Sequence, residues 1–208
     1  MKKIALLTIV LLQFACKAQS PVLDIYDFNT DPLVYNAYYK DVTNFRDQYV
    51  GTWRYSFHTT LIEVKFIKKD MAFIEVGNTR YYEDYMIGGL RYVKDGVELV
   101  NTLPTLAVNG SSGYDYYLHT GSVIRPNYHD ATCPDCAPDE KRLLLDYDEP
   151  QTKFTPPCIS ANLIIRRVVE NGVEQLKVQF RQDGWDLCMP ADNIHFNLPY
   201  GDYTLTKQ

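Results

Sequence analysis

Three residues in one loop have the types and the spacing to bind a metal ion. His129 stands four residues before Cys133, and Cys136 follows after two intervening residues. With Cys158 or Cys188 as a fourth ligand, they could form a tetrahedral zinc site from thiolates and one imidazole. The chain has no second closely spaced ligand pair, and exported cysteines usually oxidise to disulfides. The sequence therefore favours disulfides, and we assign no metal ligand.

The four cysteines of the C-terminal half form an even set, which predicts two disulfides and allows three pairings. A hairpin centred on Asn171-Gly172 would bring Cys158 close to Cys188, and a β-bulge could align them. This favours a bond between Cys158 and Cys188, and it leaves Cys133 to pair with Cys136.

Acidic residues occur in two patterns that resemble functional sites. Asp27, Asn29 and Asp31 have the alternate spacing of a calcium-binding loop, but Pro32 stands where the loop needs glycine. The acidic residues in 146–149 resemble a paired acid and base, although such a pair needs a cleft around it. An ordinary turn is the better interpretation of the first pattern, and a solvated acidic turn of the second.

No combination of residues has the specificity of a catalytic signature. His58, His119 and His195 are far apart in the sequence, and none accompanies a nucleophile motif such as Gly-x-Ser-x-Gly. A thioredoxin-like role for the Cys-Pro-Asp-Cys segment would require a helix, which Pro138 interrupts. We assign no catalytic residue and no cofactor. A hydrolase or redox enzyme whose groups meet around His129 in the fold is the third-ranked hypothesis.

Tyrosine is abundant, with 17 in the chain. Tyrosines on one surface can stack on sugars, but tyrosine is also common in half-buried sheets. The tyrosines that could form such a stacking surface are Tyr81, Tyr82, Tyr85, Tyr114, Tyr116 and Tyr117.

The first residues have the pattern of a signal peptide. Lys2 and Lys3 precede an apolar stretch over residues 4–12, which is shorter than the roughly 20 residues of a membrane span. Two processing routes fit: lipid attachment at Cys16, which would explain the odd cysteine, and cleavage before Gln19. We favour lipidation slightly. The protein is then exported to the cell envelope or secreted, with membrane contact only through a lipid at Cys16.

Composition limits the classes of partner and the number of domains. The chain has 208 residues, 46% of them hydrophobic, and a formal charge of −5 without a dense basic tract, which argues against nucleic acid. We predict a signal peptide over 1–18, an extended lead-in over 19–43, and a single β domain over 44–208 with long loops between 101 and 158. The sequence does not define the oligomeric state.

The pattern within this domain predicts antiparallel strands. Ile62, Val64 and Phe66 alternate with charged residues in a strand over 60–68, and a separate strand follows over 71–76. Asp95-Gly96 and Asn171-Gly172 have the composition of two-residue hairpin turns. Thr43 is expected to cap a helical turn over residues 44–48, and residues 194–205 to supply the last strand.

Tyr49, Gly51 and Trp53 match the opening motif of lipocalin-like barrels, which this segment resembles. The resemblance implies a barrel beginning at Gly51 and plugged at one end by Trp53. An arginine of the last strand usually packs on that tryptophan, and here the chain offers Lys207. The predicted fold is all-β: a single antiparallel lipocalin-like barrel, or a curved β-sandwich, with a short N-terminal helical turn.

The whole chain is also similar to an uncharacterised family of small secreted or lipid-anchored bacterial proteins. The shared parts lie at 16–19, 37–41, 51–53, 82–84 with Gly88, and 205–208. This resemblance implies no activity. We rank first a non-catalytic protein that holds a small apolar ligand inside the barrel. The alternative is a surface module that contacts glycan or protein through exposed tyrosines and loops.

Overall fold

The computed structural model describes residues 21–27, 33–108, 110, 112–128, 131–152, 159–183 and 195–208. Within these residues no helix reaches seven residues. The short 3₁₀ helices span Phe45–Tyr49, Leu103–Ala107 and Gly113–Asp115. The strands are β1 (Val22–Asp24), β2 (Tyr38–Lys40), β3 (Gly51–Phe57), β4 (Thr60–Val76), β5 (Thr79–Lys94), β6 (Val97–Asn101), β7 (Leu118–Ile124), β8 (Arg142–Tyr147), β9 (Ala161–Glu170), β10 (Val173–Gln182) and β11 (Gly201–Lys207).

Eight of the described strands close into an antiparallel barrel. Around the barrel the order is β3, β4, β5, β7, β8, β9, β10 and β11, and β11 pairs with β3 to complete the ring. The other three strands extend the sheet: β6 pairs with the end of β5, while β1 and β2 add parallel pairs at its start. The all-β prediction is confirmed, and the closed barrel is the form observed.

Turn chemistry and period-two patterning explain most of these strands. Asp95-Gly96 and Asn171-Gly172 form the two predicted hairpin turns, and all four residues have positive φ values between 52° and 78°. The prediction of two separate strands over 60–76 was wrong, because β4 continues through a β-bulge between Lys69 and Ala72. Met71 in this bulge has a φ of 55°.

The barrel interior is filled by side chains. Inward-facing aliphatic and aromatic residues from all eight strands form one buried cluster, in which Trp53, Phe66 and Phe180 are at most 1% exposed. Interiors packed in this way leave few voids larger than a water molecule. A small apolar ligand inside the barrel therefore has no support from the described part of the barrel, which corrects our first-ranked expectation about where a ligand would sit.

The barrel closes between β5 and β7 through a short contact. Backbone pairing joins only Ile87 to His119 and Gly88 to Leu118 in the described chain. Glycine at position 88 leaves space on both sides of this contact, because an added Cβ would lie 3.1 Å from the Cβ atom of Leu118 on β7 and 2.8 Å from the Phe66 Cδ1 atom on β4.

Two threonine side chains replace the missing backbone bonds on either side of that contact. The Met86 amide donates to the Thr120 hydroxyl (2.7 Å), and the same hydroxyl donates to the Met86 carbonyl (2.9 Å). Beyond the contact, the Leu90 amide donates to the Thr102 hydroxyl (2.8 Å), which donates to the Leu90 carbonyl (3.2 Å). Both threonines are buried. Their hydroxyls therefore complete the hydrogen bonding along the β5 edge.

The lead-in contributes β1 and β2 to the sheet. It is followed by the 3₁₀ helix Phe45–Tyr49, in place of the predicted turn over 44–48. Asp41, and not Thr43, accepts the first free backbone amides of this helix: its carboxylate lies 2.9 Å from Phe45 N and 2.7 Å from Arg46 N. Thr43 donates to Asp41 instead.

We predict that Thr102→Val and Thr120→Val each lower the free energy of unfolding by about 1–3 kcal/mol. Thr120→Val leaves the Met86 amide and carbonyl without these hydrogen bonds, whereas Thr102→Val does so for the Leu90 amide, since the Leu90 carbonyl still accepts from the Thr102 amide (2.8 Å). Urea denaturation measures the loss. The matched control is Thr204→Val on the exposed face of β11, which should change stability by less than about 0.5 kcal/mol. Losses at the two buried positions no larger than that of the control would contradict the role of the hydroxyls.

Candidate functional site

The predicted structural motif lies at one end of the barrel. The Trp53 side chain is fully buried, and its Nε1 donates to the Tyr49 carbonyl (2.8 Å). β11 pairs Lys207 with Trp53, and the Lys207 ammonium lies 5.4 Å from the Trp53 ring centroid. Lys207 thus occupies the place that the lipocalin resemblance gives to an arginine. In the described structure these three residues have a packing role.

A buried carboxylate fastens the lead-in to the barrel. Asp84 of β5 accepts hydrogen bonds from the Tyr38 hydroxyl, the Asp41 amide (2.9 Å) and the Met71 amide (3.2 Å). The Arg46 guanidinium donates to the carbonyl of the same aspartate. Two of the shared sequence segments, 37–41 and 82–84, therefore meet at one carboxylate. They position the lead-in beside β5.

A cleft of about 340 Å³ lies between the lead-in and the outer surface of the barrel. We call it the lead-in cleft. Its walls come from the lead-in, the first 3₁₀ helix, β5 and β7. The lining residues are Ile25, Tyr26, Asp27, Leu33, Tyr39, Arg46, Tyr81, Glu83, Gly121, Ser122 and Val123.

Polar groups without partners line this cleft. Arg46 is 4% exposed, and its Nε has no hydrogen-bond partner among the described residues. The Tyr26 hydroxyl is likewise buried and makes no hydrogen bond of standard geometry, although Arg46 and Asp41 lie close enough to interact with it. The half-buried Glu83 carboxyl makes no hydrogen bond or ion pair with a described residue. Since buried polar groups are normally satisfied, the Arg46 Nε and the Glu83 carboxyl indicate a place for a polar ligand.

Burial also changes the acidity of the cleft. It raises the pKa of Glu83 to about 7, while the Arg46 charge opposes that rise and Asp84 adds to it. The pKa of Tyr81 rises to about 12 through burial and the nearby Glu83 charge. Glu83 therefore changes charge near neutral pH.

A family model described as a family of unknown function (DUF6705) matches residues 1–208. The chain belongs to the DUF6705 family. Searches of curated proteins and of solved structures gave no match. Among the described residues of this DUF6705 protein, no helix is long and apolar enough to cross a membrane.

A larger groove of about 770 Å³ lies on the outer face of β9, β10 and β11 of the DUF6705 chain. Its charged side chains are largely paired with one another. Arg166 bonds to Glu140 (2.6 Å), and Lys177 lies 3.1 Å from Glu170. Arg142 of this groove is 2% exposed and also has an Nε without a partner in the described structure, but its other two guanidinium nitrogens donate to Gln179 and to backbone carbonyls. Because the charged groups of the groove have these partners, and no carboxyl of the described lining resembles the unpartnered Glu83, the groove is a weaker candidate than the lead-in cleft.

The tyrosines predicted to form a stacking surface are divided between burial and exposure. Tyr85 and Tyr116 are buried in a second apolar cluster outside the barrel, whereas Tyr114 is 64% exposed. Gly113 packs against the Tyr85 ring, where a Cβ would overlap it. The six tyrosines therefore do not form one flat exposed surface.

The histidine predictions have separate outcomes. His119 is buried, with Nδ1 3.1 Å from the Tyr85 hydroxyl and 3.4 Å from the Asp146 carboxylate. His58 lies in an exposed turn, His195 is exposed, and His129 lies outside the described residues. The β7–β8 register sets His119 opposite Asp146, a pairing that sequence separation concealed.

The acidic segment 146–149 differs from the predicted solvated turn. Burial raises the pKa of Asp146 to about 6, and Asp183 and Asp148 add to the rise. Glu149 is fully buried and accepts hydrogen bonds from the Tyr147 hydroxyl (2.8 Å) and the Leu198 amide (3.0 Å). It holds the segment before β11 against the end of β8, which is a structural role.

Only part of the cysteine prediction falls on described residues. The sulfurs of Cys133 and Cys136 lie 2.01 Å apart, which is disulfide distance, and these atoms are not free thiolates for zinc. Cys16, Cys158 and Cys188 lie outside the described residues, as do Asn29 and Asp31 of the calcium-like pattern. The described residues contain no group of three or more His, Cys, Asp or Glu side chains arranged to hold a metal ion.

We predict that Glu83 makes the DUF6705 protein less stable as pH rises. Its carboxyl titrates at about pH 7 in the fold but near 4.3 when unfolded, so the folded state holds the extra proton between these values. Stability contributed by the neutral form is present below about pH 4 and is lost as pH rises towards 7. The difference in free energy of unfolding between Glu83→Gln and the wild type should therefore be about 1–2 kcal/mol more favourable to the variant at pH 8 than at pH 4.5, after allowance for partial exposure.

Urea denaturation at both pH values measures this gain, with Glu75→Gln on an exposed part of β4 as the matched control. A ¹³C NMR titration of the Glu83 carboxyl tests the cause directly. A midpoint near 4 would show that the cleft does not hold the proton.

Proposed function

We propose that this DUF6705 protein is an exported, non-catalytic binding protein that holds a small polar ligand in the lead-in cleft. The observation that carries the proposal is that Arg46, an almost completely buried cation whose Nε has no partner among the described residues, lines one cleft together with the Glu83 carboxyl, with which it forms no ion pair. The filled barrel interior moves the expected ligand from the inside of the barrel to its outer surface.

The energetics favour a ligand that carries a hydrogen-bond acceptor for Arg46. Leaving a buried donor unsatisfied costs about 1–3 kcal/mol, and a ligand that accepts from it removes that cost. Hydrogen bonds from arginine to a carboxylate are stronger than those between neutral groups. The cleft also has apolar walls from Ile25, Leu33 and Val123, so a ligand with one polar end and a small apolar part fits its lining.

The glycan alternative rests on exposed tyrosines, and among the six predicted for a stacking surface only Tyr114 is strongly exposed, while Tyr35 and Tyr200 are exposed elsewhere. A sugar remains a relevant probe of the same cleft, because its hydroxyls can both donate and accept. It belongs in the same experiment as small carboxylates.

The ligand-binding proposal is tested by adding 4-methylpentanoate, L-leucine or D-glucose to ¹⁵N-labelled protein. We expect at least one probe to shift the amide signals of the cleft, including those of Glu83 and Ser122. Ser122 is an exposed residue of the lining, so Ser122→Trp should fill the cleft and remove the shifts. Ser56→Trp places the same ring on an exposed position of β3 and should leave the shifts unchanged.

Two results would contradict binding in the cleft. One is the absence of cleft shifts with all three probes at millimolar concentration. The other is binding that Ser122→Trp leaves intact, since the ligand would then lie elsewhere.

Export is supported by the charged and apolar pattern of the first residues and by Cys16. We expect the protein isolated from its own host to begin at an acylated Cys16, as mass spectrometry of the intact chain can determine. A chain beginning at Gln19 would support export by the alternative cleavage. A chain that retains residues 1–18 would contradict the proposed signal peptide.

A further inference from the structure

The lead-in cleft contains a cation and an anion that do not neutralise each other. Arg46 and Glu83 line the same cavity, and they form no ion pair within the described structure. They are still close enough for the Arg46 charge to act on the Glu83 carboxyl. Opposite charges that face one cavity without meeting leave room for a group between them.

The remaining charge in the cleft adds to the negative side. Asp27 is an exposed carboxylate at the rim, whereas Arg46 is the cationic residue of the lining. A ligand that brings only an anionic group would satisfy Arg46 but would leave the Glu83 carboxyl without a positive partner. A ligand that brings both signs would satisfy both sides of the cleft.

Burial raises the pKa of Glu83, because a carboxylate without a partner is costly in a poorly solvated site. An ammonium group placed beside Glu83 would favour its ionised form. The carboxyl would then change from an unpartnered acid into one half of an ion pair. The empty cleft is therefore arranged to respond to a cationic group.

We infer that the ligand of this cleft is a small zwitterion of the α-amino acid class with an apolar side chain. Its carboxylate accepts from Arg46, its ammonium donates to Glu83, and its side chain contacts Ile25, Leu33 and Val123. The cavity of about 340 Å³ is at the small end of the range for ligand sites and suits a ligand of this size. This inference rests on the proposed function, since it names the class of ligand for the same site.

Three compounds of one shape separate the contributions of the two charges. L-leucine has both charged groups, 4-methylpentanoate lacks the ammonium, and 3-methylbutylamine lacks the carboxylate. We expect isothermal titration calorimetry at pH 7.5 to show leucine binding at least about tenfold more tightly than either analogue, because each analogue loses one charge-assisted contact.

Glu83→Gln tests the residue assigned to the ammonium. It should reduce the advantage of leucine over 4-methylpentanoate to about twofold or less, and leave the affinity for 4-methylpentanoate unchanged within about twofold. Ser122→Trp should abolish binding of all three compounds, and Ser56→Trp should abolish none. Circular dichroism of each variant checks that the fold is retained.

The outcomes distinguish this inference from the function on which it rests. Equal affinities for leucine and 4-methylpentanoate, both lost in Ser122→Trp, would overturn the zwitterion and keep the binding function. Glucose binding at the cleft without leucine binding would do the same. An advantage of leucine that persists in Glu83→Gln would overturn the role of Glu83. Failure of every probe would overturn both proposals.

Discussion

The hydrogen-bonding edge of β5 is the constraint on which the rest of the structure depends. β5 pairs with β4 along one side, while β2, β7 and β6 divide the other side between them. No strand reaches the positions between these three partners, and a buried backbone group there needs another partner. Thr120 and Thr102 fill two of these places, and Arg46 fills a third by donating to the Asp84 carbonyl. Barrel closure and attachment of the lead-in are therefore two consequences of one divided edge.

The sequence made the local parts of the fold predictable. Asp95-Gly96 and Asn171-Gly172 determine hairpins by the backbone angles that they permit, and the alternation around Val64 determines a buried face. The β5–β7 contact joins residues about 30 positions apart through only two pairs, and no local pattern marks it. The bulge before Ala72 was not predicted either. The alternation of apolar and polar residues breaks there in the sequence, but the strand is continuous in the structure.

The candidate site was less predictable because its residues have ordinary types in ordinary positions. Arg46 follows a short helical start and Glu83 sits in a tyrosine-rich strand, so neither forms a recognisable motif. They become candidate site residues because the Arg46 Nε and the Glu83 carboxyl lack hydrogen-bond partners among the described residues, and only the packed structure shows this. Asp84 was part of a shared sequence segment, but its contacts with Tyr38 and Asp41 depend on docking of the lead-in. The cysteine spacing, in contrast, placed Cys133 beside Cys136 correctly.

The lead-in joins the barrel through a small number of bonds, and this has a kinetic consequence. β2 contributes two residue pairs to β5, and β1 touches the sheet only through β2. Elements attached in this way open in local fluctuations of much lower free energy than global unfolding. One wall of the cleft can therefore detach and return while the eight-stranded barrel stays closed. For the proposed ligand, the rates of entry and escape would then depend on local opening of the lead-in, with the barrel as a fixed frame.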